Sequence, residues 1–365
     1  MLQAGIVGLP NVGKSTLFNA LVENHQAEAG NFPFCTIEPN VGIVEVPDER
    51  LFKLSEIYGS QKILPAVFQF VDIAGLVKGA SEGAGLGNKF LNHIREVDSI
   101  VQVIRCFEDE NVHHVDGSIN PIRDFETIQL ELSLADLNVV QKRIEKLGKQ
   151  ARSGDKEAIA EQELLGRISE AIEKTERIQI SQEEKILIGH LNLLCLKPII
   201  IAANLKEEEL ANPKSNANYN KFLEFIKDYD PSVSVIPISA QIEAELCNFS
   251  PEEAKEYLDG LGVQESGVKS LIRAAFETLG LMYYFTAGEM EARAWPVPVI
   301  CKAPQAAGAI HSDFERGFIK AEVVSFDDLV KFGSKAAARD GGRVRLEGKE
   351  YLVQDGDVIE FKFNV

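Results

Sequence analysis

The chain is 365 residues long, 45% apolar and 26% charged, with a net charge of −18 at pH 7. That length exceeds one small core and predicts two or three domains, and the composition is that of a soluble globular protein. The acidity opposes general nucleic-acid binding, DNA included, because such binding draws on counterion release by Lys and Arg.

The charge is uneven. Residues 281–365 hold 11 basic and 13 acidic residues, a net charge of −2, so the preceding 280 residues carry −16 of the total. Any RNA contact is therefore expected to be local or to sit in the C-terminal third. The longest apolar run, 193–203, is cut by Lys197-Pro198, and no membrane contact is expected. Cys35, Cys106, Cys195, Cys247 and Cys301 are scattered without a Cys-x-x-Cys pair, which suggests neither a zinc site nor a disulfide framework. A reducing cytoplasm is the simple reading. The first strand candidate starts so close to Met1 that no signal or transit peptide is expected.

Residues 3–7 form a short apolar run ending at Gly8-Leu-Pro-Asn-Val-Gly13-Lys14-Ser15. This fits Gly-x-x-x-x-Gly-Lys-Ser, the loop that cradles nucleotide phosphates, and strand, glycine loop, helix is its supporting order. The glycines let backbone N–H groups turn inward as an anion nest. Lys14 would reach the β- and γ-phosphates, and the Ser15 hydroxyl would bind Mg2+. The helix running on from Thr16 favours the anion at its N-terminus. Asn11, Val12, Gly13, Lys14, Ser15 and Thr16 are the nucleotide-binding candidates of this loop. Thr36, in a loop beyond that helix, would give Mg2+ a second ligand and sense the γ-phosphate.

Strand candidates at 41–46 and 67–71 come next. Asp72, at the end of the second, would hold a Mg2+-bound water, and the Gly75 N–H would meet the γ-phosphate. Glycines 79, 83, 85 and 87 make the loop that follows a permissive second switch. A strand candidate at 99–106 leads into a polar segment with His113 and His114. Either would reach the γ-phosphate on closure of that segment; the other reading is a solvated loop histidine.

In residues 127–190, Leu130, Leu134, Leu137 and Ile144 recur at helical spacing. Ser153-Gly154-Asp155 breaks the pattern, and Ile159, Leu164, Ile168 and Ile172 resume it. The pattern predicts an antiparallel helical hairpin, partly coiled coil, the alternative being a helix pair packed on the core. Ser181-Gln-Glu-Glu184 is a capping box that opens a further helix.

Strand candidates at 198–203 and 233–237 follow. Asn204-Leu205-Lys206-Glu207 comes after the first, where the base-reading loop of GTPases lies. Ser239-Ala240 comes after the second, where a backbone N–H can meet the base. Ser250-Pro251-Glu252-Glu253 opens a helix with Pro at its first position, and a helix over about 267–280 closes the domain. The alternation predicts a doubly wound, mostly parallel α/β domain of the P-loop NTPase class, with ligand loops at the carboxyl ends of its strands. Beyond Gly280, short strand candidates at 296–301, 318–324, 343–346, 350–353 and 358–363 mark a small β-rich domain.

These segments together resemble the YchF family of Obg-like ATPases, within the translation-factor-related P-loop GTPase class. The resemblance rests on residues 8–16, 31–40, 72–81, 83–87 and 204–207, on Ala303-Pro-Gln-Ala-Ala307 with His311, and on Asp355-Gly-Asp-Val-Ile-Glu-Phe361. It implies a G domain of 1–126 and 191–279, a coiled-coil hairpin insertion of 127–190 and a TGS domain of 280–365. It also implies ATP and GTP hydrolysis with Mg2+, ribosome association and a regulatory role in translation or stress response. It favours His114 over His113 as the catalytic group.

Guanine-specific loops read Asn-Lys-x-Asp. Here Glu207 replaces the Asp and adds a methylene, which shifts the carboxylate by roughly 1.5 Å. Leu205 replaces the Lys, so an apolar lid over the base is expected. Losing a bidentate pair costs about 1–3 kcal/mol, enough to erase a guanine preference. The resemblance implies the same, with Asn204 and Leu205 bordering adenine, while Glu207 keeps GTP use open. Leu76 stands where Ras-like enzymes place the Gln that orients the attacking water, and leucine cannot do so. Three functions stay open: a slow switch-type ATPase, a GTPase, and a nucleotide-gated RNA- or ribosome-binding adaptor with incidental hydrolysis. Candidate RNA contacts in the TGS domain are Lys320, Lys331, Lys335, Arg339, Arg343 and Arg345, with a solvated basic face as the alternative.

Overall fold

The computed structural model describes residues 2–25, 40–73, 86–109, 118–174 and 176–364. Thr36, Gly75, Leu76, His113, His114, Cys35 and most of the expected second switch loop lie outside them. In chain order the elements begin with β1 (Gln3–Val7), α1 (Lys14–His25), β2 (Val41–Glu45), α2 (Glu49–Tyr58), β3 (Lys62–Leu64), β4 (Val67–Asp72), α3 (Leu86–Glu96) and β5 (Ser99–Arg105). The middle of the chain forms α4 (Pro121–Arg152), α5 (Lys156–Glu173), α6 (Gln182–Ile188), β6 (Ile199–Asn204), α7 (Glu207–Leu210) and α8 (Ala217–Tyr229). There follow β7 (Ser234–Ile238), α9 (Ala240–Leu246), α10 (Pro251–Leu261), α11 (Gly267–Thr278), β8 (Leu281–Ala287) and β9 (Glu291–Pro298). The last are α12 (Ala303–Ile310), α13 (Ser312–Arg316), β10 (Phe318–Ser325), α14 (Phe326–Phe332), α15 (Lys335–Asp340), β11 (Arg345–Glu347) and β12 (Asp357–Phe363).

By their contacts the described residues of 1–26, 32–42 and 69–271 form one compact unit, and those of 43–68 and 272–365 another. The first sheet has the order β2-β4-β1-β5-β6-β7. Strands β4, β1, β5, β6 and β7 are parallel. All of β5 and nearly all of β1 and β6 are buried. Apolar runs such as Ile199-Ile-Ile-Ala-Ala203 suit strands covered on both faces. The chain leaves β1 to one side toward β4 and to the other toward β5, so the strand order reverses at β1. Ligands of open parallel sheets bind outside the carboxyl ends of the strands at such a reversal.

The expected hairpin is α4 and α5, but α4 starts at Pro121, so the boundary at 127 falls inside it. Asn120 caps it, its side chain accepting from the Arg123 N–H at 3.2 Å. Phe125, in its second turn, packs with Phe222 and Tyr219 of α8. Further on, Val140 and Leu147 meet Leu164, Leu165, Ile168 and Ile172 of α5. The apolar stripe differs from the expected one: Leu130 is 45% and Ile159 37% exposed, while Ile128, Leu132 and Ala158 are buried. The turn uses Gly154 at φ 85°, then Asp155, whose carboxylate accepts from the Glu157 and Ala158 N–H groups.

The second sheet has the order β11-β10-β12-β8-β9-β3. α12 lays Ala303, Ala306 and Ala307 on its core, against Tyr284, Phe318, Val323 and Phe361. Its helices were not expected from the strand-like texture. β8 was not expected either, and residues 350–353 contribute only an isolated bridge between Leu352 and Lys302. The boundary expected at 280 kept 43–68 with the nucleotide domain; by contacts they join 272–365. The reason is pairing at long range: β3 pairs with β9, the Ser60 hydroxyl donates to the Gly288 carbonyl at 2.7 Å, and Arg50 Nη1 meets Asp355 Oδ2 at 2.6 Å. No helix among the described residues is long and apolar enough to cross a membrane.

Candidate nucleotide site

The glycine loop connects β1 to α1 and lies where the strand order reverses. Two of its residues have left-handed backbone, Asn11 at φ 64° and Gly13 at φ 95°. Gly13 is required twice over, because a Cβ there would also lie 2.3 Å from Asn204 Nδ2. A Cβ on Gly8 would come within 2.8 Å of Val12 Cγ2 and 3.1 Å of the Val103 carbonyl. α1 begins at Lys14, and its first N–H groups have no partner within the helix, which leaves them for an anion.

Lys14 does not reach into open solvent. Its ammonium forms an ion pair with Asp72 Oδ1, both side chains being less than a fifth exposed. Asp72 ends β4, which pairs with β1 so that Asp72 stands level with Ile6. The sheet thus sets the carboxylate beside the loop lysine, and Ser15, next in the chain, lies exposed at the start of α1. A carboxylate and a hydroxyl are hard oxygen donors of the kind Mg2+ takes alongside phosphates and water.

Asn204 ends β6 and is 3% exposed. Its Nδ2 donates to the Val12 carbonyl at 2.9 Å, and its Oδ1 accepts from the Ala240 N–H at 3.0 Å. One amide therefore ties the glycine loop to the start of α9, and its orientation is fixed because a flip would set donor against donor. This bond takes the Ala240 N–H, one of the backbone donors of the segment expected to offer an N–H to the base. Ser239, at the end of β7, is buried beside it.

Leu205 overturns an expectation. Its side chain is 2% exposed and packs with Ile104, Ile201, Tyr219 and Phe222, while its N–H donates to the Ile238 carbonyl at 2.8 Å. Burying a leucine is worth about 1.5–3 kcal/mol, so the core wins over a lid on the base. Among the described residues, the aromatic wall of the cleft is Phe107 instead, which sequence reasoning missed. It follows β5 and is held from beneath by Arg105, itself 1% exposed. Arg105 donates to the carbonyls of Phe107 at 3.0 Å and Asp109 at 3.1 Å, and its guanidinium lies 4.6 Å from the Phe107 ring centroid. The one available signal was position: the first aromatic past a central strand of a parallel sheet.

Of these residues, Gly13, Asn204, Phe107 and Ala240 border an open cleft of about 360 Å³, which Thr16 also lines. Phe107, Ala240 and Ala244 give it apolar surface; Asn204, Gln241, Glu245 and Asn248 give it polar groups. This size and mixture suit a nucleoside. Glu207 starts α7, and its Oε1 accepts from the Tyr257 hydroxyl at 3.0 Å.

Comparison with known proteins agrees with this geometry. A family model described as "50S ribosome-binding GTPase" matches residues 3–140, and the YchF-GTPase C-terminal model, described as "Protein of unknown function (DUF933)", matches 281–364. The chain is 53% identical over the full length of both proteins to the "Ribosome-binding ATPase YchF" of Bacillus subtilis. It is 45% identical to the "Obg-like ATPase 1" of Pongo abelii, covering all of this chain and 92% of that one. A solved structure titled "Structure of the Schizosaccharomyces pombe YchF GTPase" superposes with a TM-score of 0.88 at 38% identity, covering 99% of this chain and 97% of the other.

Proposed function

This chain belongs to the YchF family, and from that premise we propose that it is a Mg2+-dependent ATPase, able to bind GTP, that associates with the ribosome in the cytoplasm and regulates translation or the stress response. The observation that carries the reading is the Lys14–Asp72 pair, formed by the residue next in the chain to Gly13, which lines the cleft. An ammonium and a carboxylate neutralise each other there, at the start of a helix whose N–H groups favour an anion. Triphosphate would draw Lys14 to its β- and γ-oxygens and leave the Asp72 carboxylate for a cation.

In this reading Asn11, Val12, Gly13, Lys14, Ser15 and Thr16 hold the phosphates, and Ser15, Thr36 and Asp72, the last through water, hold Mg2+. Mg2+ held by these residues would supply positive charge to offset that of the phosphates. The Gly75 N–H meets the γ-phosphate and His114 stands in for the water-orienting glutamine that Leu76 lacks. Asn204, Ser239 and Ala240 border the base, Leu205 contributes only backbone, and Glu207 occupies the base-reading position. The C-terminal basic residues offer weak support for RNA contact. Lys335 and Arg339 pair with Glu322, Arg345 with Asp357, and Arg343 lies 3.8 Å from Asp328.

The test is Mg2+-dependent hydrolysis of ATP and GTP measured side by side, with Lys14→Ala as control. The reading predicts slow turnover that favours ATP and is lost in the variant. Equal turnover by Lys14→Ala would place the activity elsewhere. His114→Ala should slow hydrolysis at least tenfold at unchanged ATP affinity; a wild-type rate removes His114 from the mechanism.

A further inference from the structure

We propose that Tyr257 sets the nucleotide preference of this site by holding the Glu207 carboxylate out of the base cleft. The inference rests on the ATPase reading and deepens it. A carboxylate that reads guanine must offer both oxygens to the base, one to N1–H and one to the 2-amino group. Glu207 stands at that position in the chain, yet it is not among the described residues that line the cleft; Glu245 is.

The geometry supplies the cause. The Tyr257 hydroxyl lies 3.0 Å from Glu207 Oε1 and 3.2 Å from Glu245 Oε2. A phenol has one proton, so it donates to one carboxylate at a time, and the shorter contact and the larger effect on the phenol are those of Glu207. Accepting that proton, Glu207 pushes the phenol up to about 12, and Tyr257 stays a donor throughout the physiological range. Glu245 is held from its other side, its Oε1 accepting from Gln241 Nε2 at 3.2 Å.

The donor is firmly placed. Its ring packs against Phe249, centroid to centroid at 5.4 Å, and on the cluster of Ile242, Leu246 and Leu258. Its helix, α10, starts at a capping box: Ser250 N–H to Glu253 Oε2 at 2.9 Å, and Glu253 N–H to the Ser250 hydroxyl at 3.3 Å. α7, by contrast, is a single turn of Glu207–Leu210. The rigid partner dictates where the carboxylate of the short helix points. Without the hydroxyl, Glu207 loses its donor and faces Glu245 unshielded, so it turns toward the cleft, where guanine offers two donors.

The experiment is calorimetric titration with non-hydrolysable ATP and GTP analogues, Mg2+ present, of wild type, Tyr257→Phe, Glu207→Gln and the double variant. Phenylalanine keeps the ring packing, so the fold is retained. Tyr257→Phe should shift the ratio of GTP to ATP affinity about tenfold toward GTP, the size of a hydrogen bond to a charged group. In the Glu207→Gln background the same change should leave the ratio within twofold. An unmoved ratio in Tyr257→Phe, or a shift that persists without the Glu207 carboxylate, overturns the proposal. Clear GTP preference in wild type would instead sink the ATPase reading, so the two failures are told apart.

Discussion

Asn204 is the residue on which the site's rigidity turns. Its two amide atoms close a bridge from the Val12 carbonyl to the Ala240 N–H, both buried. Alanine would leave a buried donor and a buried acceptor unsatisfied, at a cost of about 1–3 kcal/mol each. Asn204→Ala should therefore lower the denaturation midpoint and weaken binding of ATP and GTP together; an unchanged midpoint would mean that the bridge carries no load. Gly13→Ala combines a left-handed backbone with a 2.3 Å approach to the same amide, and it should lose nucleotide binding while Gly148→Ala, in open space, does not. At this scale the phosphate loop was legible because its chemistry fixes residue type and spacing together. Leu205 and Phe107 were not. Leu205 turns to the core because Phe125 of α4 and Tyr219 and Phe222 of α8 pack around it, and Phe107 is placed by the buried Arg105; neither leaves a pattern in the sequence.

Among the elements, local signals carried over faithfully. The capping boxes at Ser181 and Ser250 and the Asp155 cap begin helices where expected, because each satisfies its own orphan N–H groups within one turn. β3 was illegible because its partner β9 lies far off in sequence, β8 was missed although it forms a hairpin with β9, and α14, capped by Ser325 accepting from the Asp328 N–H, was hidden in strand-like texture. One element makes a pH prediction. Glu243 of α9, 1% exposed, accepts from the Gly267 N–H at 2.7 Å where α11 begins. Burial pushes its carboxyl up from 4.5 to about 7. Between those values the folded chain holds a proton that the unfolded chain has released, so this group's contribution to stability falls as pH rises through the window and levels off above it. Relative to Glu243→Gln, wild type should lose urea resistance from pH 4.5 to 7; parallel curves would contradict the burial argument.

Over the whole molecule, the doubly wound domain was readable from alternating apolar runs and glycine loops, since every parallel crossover is spelled out in order. The grouping of 43–68 with the C-terminal residues was not, because it depends on β3 joining β9 and on Arg50 meeting Asp355. Those contacts predict that Arg50→Ala, which also removes the guanidinium 5.1 Å from the Phe285 ring, lowers the stability of the C-terminal unit. Hydrogen exchange should show faster exchange in β8 and β12 with β1 and β5 unaffected; uniform change would argue against a separate unit.

The most direct measurement is an experimental structure of the chain with Mg2+ and a non-hydrolysable ATP analogue. The account predicts phosphates on the loop from Asn11 to Thr16, Lys14 parted from Asp72 and turned to the β- and γ-oxygens, and adenine against Phe107. An intact Lys14–Asp72 pair, with the nucleotide bound elsewhere or not at all, would contradict it.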